Sequence, residues 1–71
     1  MSDRLANDLK AARDALGLTQ AALAEQVGVS RKTINTVENG VFVPSTLLAL
    51  KLAAALGRPV EALFRIEDAG R

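Results

Sequence analysis

Residues 20–38 read Gln20-Ala-Ala-Leu-Ala-Glu-Gln-Val-Gly-Val-Ser-Arg-Lys-Thr-Ile-Asn-Thr-Val-Glu38, and this stretch decides the fold. Two short helical patterns are joined through one glycine, with no room for any other connection. Leu23, Ala24 and Val27 fall on one face of the first, at i, i+1 and i+4. Ile34 and Val37 share a face of the second, with Val29 in the turn between them. Gly28 stands where the first helix must end and the chain reverse, and a left-handed backbone is low in energy there only for glycine. Ala24 is small where the two helices approach most closely. The spacing predicts a tight, angled helix-turn-helix pair, whose second helix can enter a DNA major groove.

Seventy-one residues make one small domain (1–71, core about 5–66, tail 67–71). A chain this short buries a modest share of its surface and often needs disulfides, a metal or a partner subunit. Cysteine and histidine are both absent, so disulfides and the usual zinc sites are excluded, and self-association becomes the expected staple. The longest apolar stretch, 47–56, is interrupted by Lys51 and falls short of the ~20 residues of a membrane span. Residues 1–9 mix acids, bases and Asn7, unlike a signal peptide. The expectation is a soluble cytoplasmic protein with no membrane association, no cofactor and no small-molecule ligand. Net charge is only +1, nine Lys/Arg against eight Asp/Glu, so charge placement has to carry any argument for a nucleic-acid partner.

The apolar stripe Leu5, Leu9, Ala12, Leu16 predicts a first helix over 5–16, closed by Gly17. Thr19 and Ser30 are the expected N-caps of the second and third helices. Asn39-Gly40 closes the third. After the apolar loop Val41-Phe42-Val43, Pro44-Ser45 restarts a helix that ends at Gly57, with Ala49, Leu52, Ala53 and Leu56 as its core stripe. Pro59 fits the first turn of a last helix over 60–64. Residues 65–67 form a strand-like tail, and 68–71 are expected to fray. The expected fold is all-α, five short helices around one core.

The third helix inverts the charge order that the helix macrodipole favours: Arg31 and Lys32 stand at its start and Glu38 at its end. Each mismatch costs roughly 0.3–1 kcal/mol when exposed. Such exceptions concentrate at functional sites. Taken alone, a basic pair at a helix start is most often a solvated surface pair. Beside this motif it reads as a contact to DNA, where positive charge is favoured. Asn35 and Thr36 share the exposed face; asparagine can pair with an adenine edge and a threonine methyl can touch a thymine methyl, or either is simply solvated. Gln20, Ser30 and Thr33 carry short polar groups near helix starts suited to phosphate oxygens, or to plain capping.

With these residues in place, the chain closely resembles the Cro/phage-repressor type of helix-turn-helix domain, the Xre family, and most of all its compact stand-alone members. The resemblance runs from about residue 9 to 64. It rests on Leu18-Thr19-Gln20, Ala24, Gly28-Val29-Ser30, Ile34, Glu38-Asn39-Gly40, Pro44-Ser45, Leu52-Ala53, Leu56-Gly57 and Leu63-Phe64 in that order. It implies a DNA-binding transcriptional regulator, most simply a repressor, that grips double-stranded operator DNA as a homodimer. By the same resemblance Arg31, Lys32, Asn35 and Thr36 face the groove and Gln20 touches the DNA backbone. Arg13 pairs with Glu38, which makes Glu38 structural. Amides near Asn39 and Gly40 are left as the phosphate contacts of a loop that is often basic or polar in relatives and is Val-Phe-Val here. Gene context separates a repressor from an antitoxin or a restriction–modification controller, and a protein-interaction module that lost DNA binding is the reading from another class. No catalytic residues are apparent.

Leu47, Leu48 and Leu50 leave the fourth helix apolar nearly all the way round, which calls for burial on more than one side. A two-fold dimer interface is therefore expected from Leu47, Leu63, Phe64 and Ile66, with Phe42 as a contributor. Residues 1–5 are only weakly strand-like, so packing of helices and side chains is expected there rather than an extended sheet.

Overall fold

A computed structural model describes residues 3–68. In chain order the elements are β1 (Asp3–Asn7), α1 (Leu9–Ala15), α2 (Gln20–Val27), α3 (Arg31–Glu38), α4 (Thr46–Leu56), α5 (Val60–Leu63) and β2 (Phe64–Asp68). Helices α2, α3 and α4 start where short hydroxyl side chains replace missing intrahelical partners. Thr19 Oγ1 accepts from the Ala22 amide, Ser30 Oγ from Thr33 and Ser45 Oγ from Leu48, all near 3 Å. Helix α2 stops at Gly28, whose φ of +75° would strain any residue with a Cβ. Its surroundings are open, so the requirement for glycine is conformational and not spatial.

The buried core gathers one or more residues from each helix. Leu9, Leu23, Ile34, Leu52 and Leu63 have no exposed surface, and Ala12, Ala24, Val27, Val37, Leu48 and Leu56 pack around them. On α4 the inward set is Leu48, Leu52, Ala53 and Leu56; Ala49 of the expected stripe lies half-buried at its margin.

Two expectations are corrected. The fold is mostly helical but not all-α, because β1 and β2 form a two-stranded antiparallel sheet with Leu5 opposite Ile66. Helix α1 accordingly begins at Leu9 rather than at residue 5, and Leu16, 55% exposed, lies beyond its end. The physical reason lies in Asn7. Asparagine in a helix interior competes with the backbone for hydrogen bonds, and here it breaks the pattern. Asn7 Oδ1 accepts from the Leu9 amide at 3.0 Å, while its Nδ2 donates to the Val37 carbonyl at 3.0 Å. One side chain thus starts α1 and ties it to the end of α3. The strand-like tail finds its partner within the same chain, across the register Arg4↔Glu67 and Ala6↔Arg65.

An isolated two-stranded ribbon is marginal in water. This one is held to the core through buried Phe64, half-buried Leu5 and the Asp8 amide, which donates to the Leu63 carbonyl at 2.9 Å. Arg4 bonds Glu67 directly across the strands, and Arg65 reaches Asp8 at 3.1 Å. Helix α5 is one turn, Val60–Leu63, because Phe64 already has extended backbone and opens β2. The fraying expected of 68–71 falls, apart from Asp68 at the end of β2, outside the described residues.

Removing the Asn7 side chain should leave two part-buried backbone groups without partners. Asn7→Ala is expected to cost about 1–2 kcal/mol, read as a lower urea midpoint at unchanged slope. A midpoint within error of wild type would show that the tie is not needed.

Candidate nucleic-acid interface

The turn between α2 and α3 is fully specified by the chain. The Val29 amide donates to the Ala24 carbonyl at 3.0 Å, Gly28 takes the left-handed conformation, and Ser30 caps the next helix. Ile34 and Val37 anchor α3 in the core, so its opposite face is presented outward. Arg31, Lys32 and Asn35 are exposed there, and Thr36 is half-buried at one margin. Among the described residues neither Arg31 nor Lys32 enters an ion pair, whereas Arg4, Arg13 and Arg65 each do. The basic pair at the start of α3 therefore carries its macrodipole cost without local relief, and its charge is free for an external anion.

The remaining polar residues differ in what they have left to offer. Asn35 Oδ1 accepts from Asn39 Nδ2 at 3.2 Å, leaving the Asn35 amide hydrogens unused. Thr36 Oγ1 donates to the Thr33 carbonyl at 2.9 Å, which leaves a lone pair and a methyl group for other contacts. Ser30 and Thr33 share their hydroxyls at 3.0 Å within the cap. The amides of Asn39 and Gly40 already donate to the Asn35 and Val37 carbonyls, both at 3.1 Å. This corrects the expectation that backbone amides in that turn are free for phosphate; only the Asn39 side chain remains for such a contact.

Behind the exposed face lies a charged node. Arg13 Nε and Nη2 fork onto the two Glu38 carboxylate oxygens at 2.7 and 3.2 Å, and Arg13 Nη1 donates to the Leu18 carbonyl at 2.8 Å. Gln20 Nε2 donates to Glu38 Oε1 at 3.0 Å, so one amide hydrogen of Gln20 is left for a DNA contact. The side chains of Arg13 and Glu38 are 9% and 3% exposed. Burial pushes the Glu38 carboxyl upward, yet hydrogen bonds from Arg13 and Gln20, with the charges of Arg13 and Lys10, outweigh it and hold the group below its ordinary 4.5. The bond to Glu38 likewise raises Arg13 above its ordinary value, against the opposing pull of burial. Gln20 as a member of this node, and Asn7 as the second tie on α3, carry no periodic signal in the sequence that marks them.

Of the residues expected at a dimer interface, Leu63 is corrected. It is 0% exposed within its own chain and has no surface to offer a partner. Phe64, at 7% exposed, is almost equally enclosed by the core, whereas Leu47 and Ile66 are largely exposed. Phe42 is about half exposed beside α3.

Because folded Glu38 ionises at lower pH than the unfolded chain, the stability it contributes is complete above the ordinary value of 4.5 and is lost as pH falls through the folded one. Glu67 is lowered too, by its bond to Arg4, but it is solvent-exposed and salt screens it. In about 1 M salt the acid-side loss of stability should persist in the wild type and flatten in Glu38→Gln. Glu38→Ala leaves the buried Arg13 guanidinium with only the exposed Asp14 carboxylate, 3.4 Å from Nη1, as counter-charge and should cost about 3 kcal/mol, the lower part of the range for a broken buried pair. Urea midpoints across the acid range measure both, and an unchanged acid limb in Glu38→Gln would remove this carboxylate from the account.

Known proteins resemble this chain. An uncharacterised HTH-type transcriptional regulator of Methanothermobacter thermautotrophicus is 49% identical over 59 residues, covering 82% of this chain and 86% of that protein. YgzD of Bacillus subtilis, also an uncharacterised HTH-type transcriptional regulator, is 42% identical over 62 residues, covering 87% and 94%. Among solved structures, the restriction-modification controller protein C.AhdI from Aeromonas hydrophila superposes with a TM-score of 0.72 at 37% identity, over 76% of this chain and 82% of its own. Residues 9–63, from the first core leucine of α1 to the last of α5, match the helix-turn-helix family HTH_3. The chain belongs to that family, the Cro/C1-type helix-turn-helix transcriptional regulators that bind DNA.

Proposed function

We propose that this protein is one DNA-binding unit that reads a palindromic operator as a homodimer, most simply as a repressor, working in the cytoplasm and without catalysis. The observation that carries the reading is the unpaired Arg31–Lys32 step on the outward face of a helix whose inward face is locked in the core. Helix α3 enters the major groove with Arg31, Lys32, Asn35 and Thr36 toward base edges. Gln20, Ser30, Thr33 and the Asn39 side chain lie where phosphates flank it. No helix among the described residues is long and apolar enough to cross a membrane.

A dimer is supported by the outward face of α4. Leu47 and Leu50, 64% and 55% exposed, lie one turn apart on a helix whose other face is core, and Ile66 is exposed opposite half-buried Leu5 on the sheet. Two-fold symmetry would put the two α3 helices on one side of the dimer, separated by about one DNA turn (~34 Å) or by a distance that a DNA bend accommodates. The likeness to C.AhdI favours restriction–modification control as the second reading of the biological role. A protein-interaction module that had lost DNA binding would have no use for the unpaired basic step.

Selection from a random DNA pool supplies the operator on which the assignment is tested. Arg31→Ala should lose ~1–3 kcal/mol and relax preference at particular base positions, while Lys32→Ala should weaken binding more evenly and lower the salt slope by about one. Unchanged affinity in both variants, with folding intact, would end the assignment of α3 as the reader.

Leu50→Glu should convert the dimer to the 7.5 kDa monomer in sedimentation at micromolar concentration and reduce operator binding to that of a half-site. A wild-type protein that is monomeric and binds one unrepeated half-site would refute the dimer.

A further inference from the structure

The loop after α3 is the part of this surface that charge does not explain. Val41, Phe42 and Val43 have no polar side-chain group, yet Val41 is 77% exposed. The amides of Val41 and Phe42 both donate to the Thr36 carbonyl, at 2.9 and 3.1 Å, so the loop is fastened to α3 rather than hanging from it. Between loop and helix lies a shallow notch of about 330 Å³, lined by Ser30, Lys32, Thr33, Thr36, Val41 and Phe42. Its polar atoms are largely occupied. The Thr36 hydroxyl hydrogen goes to the Thr33 carbonyl, and Ser30 and Thr33 bond each other. With those hydroxyls engaged, what Thr33, Thr36, Val41 and Phe42 have left to offer is apolar, and Lys32 is the one charged residue of the lining.

We propose that the notch formed by Thr33, Thr36, Val41 and Phe42 holds the C5-methyl group of a thymine in the operator, which makes Val41 and Phe42 specificity-determining residues. The inference rests on the reading of α3 as the groove-entering helix. If α3 lies in the major groove, a loop bonded to its last turn is carried to the groove edge with it. The thymine methyl is the apolar group that a base pair displays in that groove. Lys32, which also lines the notch, brings a positive charge beside it, favourable next to any nucleic acid. A loop without donors cannot grip phosphate through its side chains, and a methyl seated against apolar side chains takes the touching surfaces of both out of water.

The test uses the full chain and the operator enriched from a random pool, with each thymine replaced in turn by deoxyuridine, which lacks only the methyl. One thymine per half-site should weaken binding about three- to fourfold when replaced, the worth of one buried methyl group. That penalty should vanish in Val41→Ala or Phe42→Ala and persist in Val43→Ala, since Val43 lies outside the notch. Val41 is exposed enough that its truncation leaves the fold intact, so the valine variant decides even if the phenylalanine variant is unstable. An enriched operator without a common thymine, no sensitive position, or a penalty that survives in both notch variants would overturn the inference while leaving α3 as the reader. A pool that enriches no sequence would overturn that reading, and this inference with it.

Discussion

The Glu38 carboxylate is the point on which the placement of α3 depends. It ends a helix whose dipole opposes it, at a cost of roughly 0.3–1 kcal/mol if exposed. Burial against Arg13 changes the scale: breaking the pair by removing one partner costs about 3–5 kcal/mol, several-fold more than the dipole mismatch, whatever the net contribution of the intact pair. The bidentate fork fixes direction as well as distance. Because Arg13 also holds the Leu18 carbonyl and Glu38 also holds Gln20, one node aligns the end of α1, the loop after it, the start of α2 and the end of α3. Asn7 adds an uncharged tie from the strand side to the same last turn.

The two charge inversions on α3 therefore have opposite explanations. Glu38 is compensated inside the protein, and its role is to hold the helix. Arg31 and Lys32 enter no ion pair among the described residues, and an external polyanion would relieve them. A rigid helix with one end clamped and the other end electrostatically unsatisfied is prepared for binding: positioning costs were met during folding, and the unsatisfied charge contributes only when the partner arrives.

Most of the helix pair was legible in the sequence because its determinants are local. Thr19, Ser30 and Gly28 act within three residues of themselves, and the Ile34/Val37 spacing selects a face without knowledge of the rest of the chain. Of the sheet only the strand-like 65–67 was legible; its partner strand and the pairing were not, for the converse reason. Residues 3–7 become a strand only because 64–68 lie beside them, and that proximity is a product of the finished fold. Asn7 reads as an ordinary polar residue until the Val37 carbonyl is placed within 3.0 Å of it. Leu63 shows a different limit: an apolar residue near a terminus has the same pattern whether its own core or a partner buries it. Pairing within the chain decides for the core. The Asn39 and Gly40 amides were misread because turn residues look open in sequence, while the bonds that close the helix consume their donors.

A net charge of only +1 has a consequence for specificity. Non-specific DNA affinity comes almost wholly from released counterions and scales with the phosphates neutralised. A chain that keeps three of its arginines in internal ion pairs has few charges left for that uniform term. Of the five described cations outside those pairs, Lys10, Lys51 and Arg58 are spread over other elements, and Arg31 and Lys32 stand together on α3 beside the Asn35 amide and the apolar notch, where in the proposed complex each contact depends on the base presented. Discrimination is the ratio of specific to non-specific binding, so lowering the denominator raises it as effectively as adding a contact. A two-fold assembly compounds the effect. Each half-site adds its base-dependent free energy to one binding event, whereas a weak uniform attraction, even doubled, stays weak. Low charge and the proposed self-association would in this sense be parts of one solution: a domain too small to bind tightly through one helix would gain affinity by repetition and keep selectivity by holding its background low.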